Sequence, residues 1–154
     1  MAEAAAPNER PAISDADMLS RFQNSKKRPP CSQTLGMRLT EVRQADKTIR
    51  MAFDVSPDFA NPTGAVQGGF VSAMLDEAMS TCCIIASNVT MTAPTLEMKT
   101  SFLRPLFPGP AEVSARIIKW GKSAAFMEAE AYDPEGRLVA KATATALPKP
   151  FKRL

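Results

Sequence analysis

Two features near the middle of the chain could do chemistry on a carbonyl group. The apolar segment from Gly69 to Ile85 contains only two charged residues, Asp76 and Glu77. A carboxylate such as that of Asp76 can take a proton from water or attack an electrophilic carbon. The backbone N–H groups of Gly68 and Gly69, at the expected start of a helix, are free donors at the positive end of the helix dipole. Together these features suit a reaction that develops negative charge on an oxygen.

The chain contains no histidine, and this absence excludes several kinds of site. It rules out a Ser-His-Asp triad, a Cys-His dyad, a histidine general base and a histidine metal ligand. The three cysteines include the adjacent Cys82 and Cys83 and lack the spacing of a zinc ribbon or a disulfide framework. We therefore expect no metal and no other cofactor, and an odd cysteine number favours a reduced intracellular compartment. Cys82 and Cys83 are expected to be small buried core residues.

The charge pattern gives little support for a nucleic-acid or membrane partner. The net charge is only +3, and Lys149, Lys152 and Arg153 stand in a C-terminal tail without an acidic residue. A nucleic-acid-binding protein usually carries a basic face on its folded body, so no such partner is expected. No apolar run reaches the roughly 18 residues of a membrane span. The N-terminus lacks the order of a secretion signal, and the sequence predicts a soluble, cytoplasmic protein.

Apolar periodicity predicts the elements that must hold these residues. Alternation over 48–55 predicts a half-buried strand, with a weaker hairpin partner over 35–42. A helix from Gly68 to about Ala86 is apolar nearly all round, so it is expected to be buried nearly all round. Turns containing Gly or Pro separate four further predicted strands, at 95–103, 112–120, 123–132 and 137–147. Such short connections need antiparallel neighbours, and the sheet must curl around the helix.

The ends of the chain predict separate segments. Residues 1–12, rich in Ala and Pro, are expected to be a disordered leader. The segment 13–30 is expected to be an N-terminal helix and linker, opened by a capping box at Ser14. A single domain over 31–148 and a basic tail over 149–154 complete the predicted organisation.

One helix wrapped by an antiparallel sheet is the layout of the hotdog fold. The run Asn61-Pro-Thr-Gly-Ala-Val-Gln67-Gly68-Gly69, followed by Leu75-Asp76, resembles the signature of hotdog acyl-CoA thioesterases of the phenylacetate-pathway (PaaI-like) type. The resemblance covers roughly residues 32–148. It implies an α+β fold in which a curved antiparallel sheet of five to six strands wraps around one long central helix, with an extra N-terminal helix. It also implies hydrolysis of an acyl-CoA to a free acid and coenzyme A.

The resemblance assigns roles to individual residues. Asp76 matches the catalytic carboxylate, either the nucleophile or the base that activates water. Gly69, with Gly68, matches the N–H that polarises the thioester carbonyl, and Asn61 matches the amide that orients water or substrate. Gln67 departs from the family pattern, which has histidine there, and it can donate a hydrogen bond but cannot carry a proton. Further residues expected to contact substrate, as hydroxyls near the site or as cations for the coenzyme A phosphates, are Thr95, Ser80, Arg104, Lys119 and Lys122.

Helix geometry separates the two proposed halves of the site. Gly69 and Asp76 share a helix face but lie about two turns, or ~10 Å, apart. One thioester carbon cannot lie near both residues of the same chain. The sequence therefore predicts an obligate homodimer in which each site takes its glycine from one subunit and its aspartate from the other, as hotdog proteins do. In this family such dimers often pair into tetramers.

Other interpretations stay open at this point. Gly68-Gly69 could be only a tight turn, Asp76 could form a structural ion pair, and Glu77 is expected to face solvent or a subunit seam. The alternative function is a non-catalytic acyl or acyl-CoA binding module on the same scaffold, because fold does not dictate function. The glutamine at position 67 gives that alternative its weight. A hotdog dehydratase or hydratase is disfavoured, because the resemblance implies an Asp-His or His-Glu pair for that chemistry and the chain has no histidine.

Overall fold

A computed structural model describes residues 12–151 of the chain. Two helices precede the sheet, α1 (Asp15–Gln23) and α2 (Pro30–Thr34), and a third, α3 (Gly68–Ala86), is the long central helix. The strands are β1 (Met37–Arg43), β2 (Thr48–Val55), β3 (Met91–Thr92), β4 (Thr95–Phe102), β5 (Gly109–Trp120), β6 (Ala125–Tyr132), β7 (Leu138–Ala146) and β8 (Lys149–Pro150).

Six strands form one antiparallel sheet in the order β1-β2-β5-β6-β7-β4. Strands β3 and β8 form a separate two-stranded ribbon that the sequence did not predict. The central helix packs against the inner face of the large sheet, from β2 across to β4. This architecture confirms the predicted α+β hotdog fold, with six strands around one long helix and a short helix before them.

Small side chains on the inner face of the sheet allow the helix to lie close to it. Along β5, β6 and β7, many of the inward positions are alanine. The helix fills the space with larger side chains, and Met74, Leu75 and Met79 are fully buried. Close packing of this kind supplies most of the stability of such a domain, because each buried Met or Leu contributes about 1.5–3 kcal/mol. The buried alanines of these three strands are Ala111, Ala115, Ala125, Ala129, Ala131, Ala140, Ala142, Ala144 and Ala146.

The central helix is less buried than its composition predicts. By length and composition α3 could cross a membrane, but half of that segment is buried inside the protein, as in a core helix. The face turned away from the sheet is only partly buried, and its residues include Ala73, Asp76, Glu77 and Ser80. The expectation of a helix buried nearly all round is therefore wrong for a single chain, because the sheet covers one side of α3.

The N-terminal helix forms as predicted, and it lies against β1. Ser14 is its N-cap, and the Ser14 hydroxyl oxygen accepts a hydrogen bond from the Asp17 N–H at 3.1 Å. Helix α2 was not predicted, and it begins at Pro30, the last residue of the predicted linker. The expected disordered leader lies almost entirely outside the described residues, as does the end of the basic tail.

The two edge strands of the sheet, β1 and β4, have different surroundings. At the β1 edge, the Gln23 amide donates to the Leu39 carbonyl at 3.0 Å, and the Arg28 guanidinium donates to the Met37 carbonyl. The N-terminal segment therefore satisfies acceptors that an edge strand would otherwise present to another chain. The opposite edge, β4, carries two exposed apolar side chains, Leu96 (64% exposed) and Phe102 (54% exposed).

Candidate active site

The N-terminus of α3 is capped by the residue that departs from the family pattern. Gln67 is the N-cap, and its side-chain oxygen accepts a hydrogen bond from the Gly69 N–H at 2.6 Å. A Cβ on Gly69 would lie 2.7 Å from that oxygen, so a larger residue there would displace the end of the Gln67 side chain. The Gly69 N–H, one of the predicted donors to a carbonyl, is therefore already occupied by Gln67.

The neighbouring Gly68 provides the free donor. Gly68 is the first residue of α3, and no residue in the described range accepts a hydrogen bond from its N–H. It lines a cleft of about 530 Å³, together with Asn61, Phe102, Leu103 and Arg104. Of the two glycines singled out from sequence, Gly68 rather than Gly69 thus combines an unpaired N–H with a position on the cleft wall.

Asn61 is held at this cleft by a tight turn. Its side-chain oxygen accepts from the Thr63 N–H at 2.9 Å and from the Thr63 hydroxyl at 2.7 Å. Its backbone carbonyl accepts from the Gly64 N–H, and Gly64 has a φ of 83°, which favours glycine. The side-chain oxygen of Asn61 is thus engaged in the turn, and its NH₂ group is the part available as a donor.

Asp76 lies two turns along α3 from the cleft. Its carboxylate accepts a hydrogen bond from the Thr95 hydroxyl at 2.6 Å, so two residues proposed from sequence are brought together. The side chain of Asp76 is half-buried, on the open face of the helix. This bond fixes one carboxylate oxygen and leaves the second oxygen for another partner.

Within one chain, the carboxylate and the free N–H lie at opposite ends of β4. Gly68 faces Phe102 at the end of the strand, the Ser72 hydroxyl donates to the Thr100 hydroxyl at 3.2 Å, and Asp76 accepts from Thr95 at the start. Gly68 and Asp76 are eight positions apart on the helix, or ~12 Å. A single chain therefore does not bring Asp76 together with Gly68 and Asn61.

The remaining predicted substrate-binding residues fall at both ends of the sheet. Ser80 is half-buried one turn after Asp76, and Arg104 lies in the cleft, where its guanidinium donates to the Leu138 carbonyl at 2.8 Å. Lys119 and Lys122 are exposed at the β5–β6 hairpin. The strand register places that hairpin at the Thr95 end of the sheet, away from the Arg104 of the same chain.

Two other candidate groups have structural roles. Glu77 accepts a hydrogen bond at 2.6 Å from the hydroxyl of Ser32, which is fully buried on α2, so Glu77 does not simply face solvent. Burial raises the pKa of the Cys82 thiol to about 12, and that of Cys83 likewise, so neither is a nucleophilic thiolate near neutral pH.

Within residues 12–151, no group of three or more Cys, Asp or Glu residues could hold a metal ion.

The sequence around this site matches a known protein family. Residues 63–140, half of the chain, match the model of the thioesterase superfamily. The chain belongs to the thioesterase superfamily. The matched stretch includes Gly68, Asp76 and Thr95, and with the fold it confirms the resemblance to PaaI-like hotdog thioesterases.

Two solved structures are similar to this chain. A solved structure of a phenylacetic acid degradation-related protein of Ralstonia eutropha JMP134 is 30% identical with a TM-score of 0.77, covering 84% of this chain and 98% of that one. A Streptococcus mutans UA159 protein, solved bound to acetyl CoA, shares the fold at 16% identity and a TM-score of 0.66, covering 76% and 91% of the two chains.

Two proteins of Saccharolobus solfataricus, both named as candidate esterases, also match. They are 28% and 32% identical over 55% and 62% of this chain. This chain therefore spans less than two thirds of the length of these relatives, 60% and 63% respectively.

The capping role of Gln67 was not predicted from the sequence, and it gives a prediction about stability. Replacing Gln67 by Ala removes the acceptor for the Gly69 N–H, so we expect the free energy of unfolding to fall by about 1 kcal/mol. That loss should lower Tm by about 2–4 °C for a domain of this size. Urea and thermal denaturation measure both quantities.

The matched control for the cap is Gln67→Asn. Asparagine is a favoured N-cap residue and should keep most of the stability. If Gln67→Ala unfolds at the same urea concentration as the parent, the Gln67–Gly69 hydrogen bond contributes nothing to stability.

Proposed function

We propose that this thioesterase-superfamily protein hydrolyses an acyl-CoA to a free acid and coenzyme A. The observation that carries the proposal is the unpaired N–H of Gly68 in a cleft shared with Asn61. A thioester carbonyl oxygen gains negative charge when its carbon is attacked, and a helix N-terminal N–H stabilises that charge. The carboxylate of Asp76 supplies the second requirement, a base or nucleophile that does not depend on histidine.

The proposed reaction proceeds at the thioester carbon. Asp76 takes a proton from water as the water oxygen bonds to that carbon, or its carboxylate attacks the carbon directly and the resulting anhydride is then hydrolysed. The carbon–sulfur bond breaks as the carbonyl re-forms, and the coenzyme A thiolate takes up the proton. The Thr95 hydroxyl holds one oxygen of Asp76 in place during these steps. Asn61 orients the water or the thioester through its NH₂ group.

The site is complete only if two chains contribute to it, so we infer a homodimer joined through the β4 edges. Gly68 lies at the Phe102 end of β4 and Asp76 at the Thr95 end. Two-fold antiparallel pairing of β4 with its copy places each Thr95 end beside the opposite Phe102 end. Gly68 of one subunit then faces Asp76 of the partner subunit. The exposed Leu96 and Phe102 on this edge support the pairing.

The same pairing also brings the predicted cations together. Arg104 belongs to the Phe102 end of the sheet, and Lys119 and Lys122 belong to the Thr95 end. Across the proposed dimer, these three residues lie around one site, where they bind the phosphates of coenzyme A. The S. mutans structure with acetyl CoA supports this substrate class, because it shows that the same fold holds a CoA thioester. We propose this dimer, or a tetramer of two such dimers, as a cytoplasmic enzyme.

In this proposal Gln67 is a positioning residue. Its side-chain oxygen is committed to the Gly69 N–H, so it fixes the first turn of α3 and directs the free donor role to Gly68. A glutamine amide carries no proton to the leaving group, and the reaction relies on Asp76 for proton transfer.

A subunit-mixing experiment tests the shared site. Asp76→Asn removes the base, and Gly68→Pro removes the N–H. If the two inactive variants are unfolded together and refolded, half of the dimers are hybrids, and each hybrid has one intact site and one doubly defective site. We expect the mixture to recover about a quarter of the parental rate of thiol release from acyl-CoA. Each variant alone should show about 1% of the parental rate or less.

Two other results would contradict parts of this proposal. Failure of the mixture to recover activity, with each variant still dimeric by light scattering, would place the whole site within one chain. Tight binding of acyl-CoA by the parent protein without release of thiol would favour a non-catalytic binding module.

A further inference from the structure

The first residue of α3 is bordered by an aromatic side chain that the reaction does not use. A Cβ placed on Gly68 would lie 3.0, 3.3 and 3.4 Å from three carbons at the tip of the Phe102 ring. The amide nitrogen of Gly68 is bonded to the same Cα, so the ring tip lies close to the free N–H. Phe102 also lines the cleft that contains Asn61 and Arg104.

Phe102 does not owe its place to the hydrophobic core. Its side chain is 54% exposed, and it stands at the last position of the edge strand β4. Half in solvent in a single chain, this ring stabilises the fold less than a buried core side chain, and it adjoins the exposed Leu103 on the same cleft, as in the apolar patches that mark binding sites. In the proposed dimer this position lies where the two halves of the site meet.

We propose that Phe102 is a specificity-determining residue that limits the bulk of the acyl group at the carbon next to the thioester carbonyl. This inference rests on the proposed function. When the carbonyl oxygen accepts from the Gly68 N–H at about 2.9 Å, the neighbouring carbon of the acyl group reaches the Phe102 ring tip. An acyl group that is unbranched at that carbon passes beside the ring. A branched group meets it, and the Gly68 hydrogen bond is lost.

The size of the effect follows from pocket sterics. A misfit of one methyl or methylene group in an apolar pocket changes kcat/KM by about 10-fold to 200-fold. Removing the ring by Phe102→Ala should admit the branched group, while Phe102→Leu leaves part of the obstruction. The change in substrate preference should appear in the ratio of the kcat/KM values for two substrates. A general loss of activity lowers both values and leaves this ratio unchanged.

The experiment compares n-butyryl-CoA with isobutyryl-CoA, which have the same atoms but differ in branching at that carbon. Thiol release is measured for the parent, Phe102→Ala and Phe102→Leu. Phe126→Ala is the matched control, because Phe126 is also exposed (43%) but lies on β6 and not on the cleft. We expect the isobutyryl-to-butyryl ratio of kcat/KM to rise at least tenfold in Phe102→Ala, less in Phe102→Leu, and not in Phe126→Ala.

The outcomes distinguish the two proposals. If the parent hydrolyses butyryl-CoA but both Phe102 variants keep the parental ratio, the role of Phe102 is overturned and the thioesterase proposal stands. An equal rise of the ratio in Phe126→Ala also overturns the role of Phe102. If the parent hydrolyses neither substrate nor longer or aromatic acyl-CoAs, the proposed function fails and the role of Phe102 fails with it.

Discussion

An Asp76→Asn variant is expected to lose about 10²-fold to 10⁴-fold in kcat for acyl-CoA hydrolysis while keeping its fold. Asparagine has nearly the volume of aspartate, and its side-chain oxygen can still accept the hydrogen bond that Thr95 donates. The variant therefore removes the negative charge and the proton acceptor with little change in packing. A thiol reagent that reports coenzyme A release measures the loss, and circular dichroism verifies the fold.

The adjacent carboxylate offers a matched control. Glu77 also lies on the partly open face of α3, but its side chain accepts from the buried Ser32 hydroxyl. Glu77→Gln keeps an acceptor for Ser32 and should leave kcat within a few-fold of the parent. If Asp76→Asn turns over acyl-CoA at the parental rate, Asp76 is neither base nor nucleophile and the proposed mechanism fails.

The fold was predictable because periodicity and turns act locally. Alternation over 48–55 and the Gly and Pro turns before and after each later strand set the strand boundaries, which the structure matches within a few residues. The burial of α3 was predicted less well. Its composition is apolar on every side, but a single sheet covers one side, and the open side carries Asp76 and Glu77. In the homodimer that we propose, a second chain covers that side, and a single sequence does not specify such a partner.

The site was predictable by residue type but not by geometry. Sequence placed a pair of glycines at the helix start, and only the structure shows that the Gly69 N–H is bonded to Gln67 while that of Gly68 is free. Glutamine is uncommon as an N-cap, so nothing in its identity signalled the bond. Phe102 and Gly68 are far apart in sequence, and their proximity depends on the position of β4 beside α3, which the sequence does not specify.

A proline at position 68 removes the free N–H with little change to the backbone. We expect Gly68→Pro to lower kcat by about 10²-fold to 10³-fold. Gly68 is the first residue of α3, a position where proline is favoured because its missing N–H has no intrahelical acceptor. Gln67 before it has φ −62° and ψ 135°, an extended conformation that a following proline permits. The substitution should therefore remove the proposed donor while leaving the helix intact.

The control for this deletion is Gly68→Ala. Alanine keeps the N–H but adds a Cβ 3.0 Å from the Phe102 ring, so it measures the steric part that proline shares. Because Gly68→Ala keeps the N–H and needs the ring to give by only a few tenths of an ångström, it should retain far more activity than Gly68→Pro. Steady-state kcat for n-butyryl-CoA gives the comparison, with Tm recorded for both variants. Equal activity of the two variants would mean that the Gly68 N–H does not stabilise the charge on the thioester oxygen.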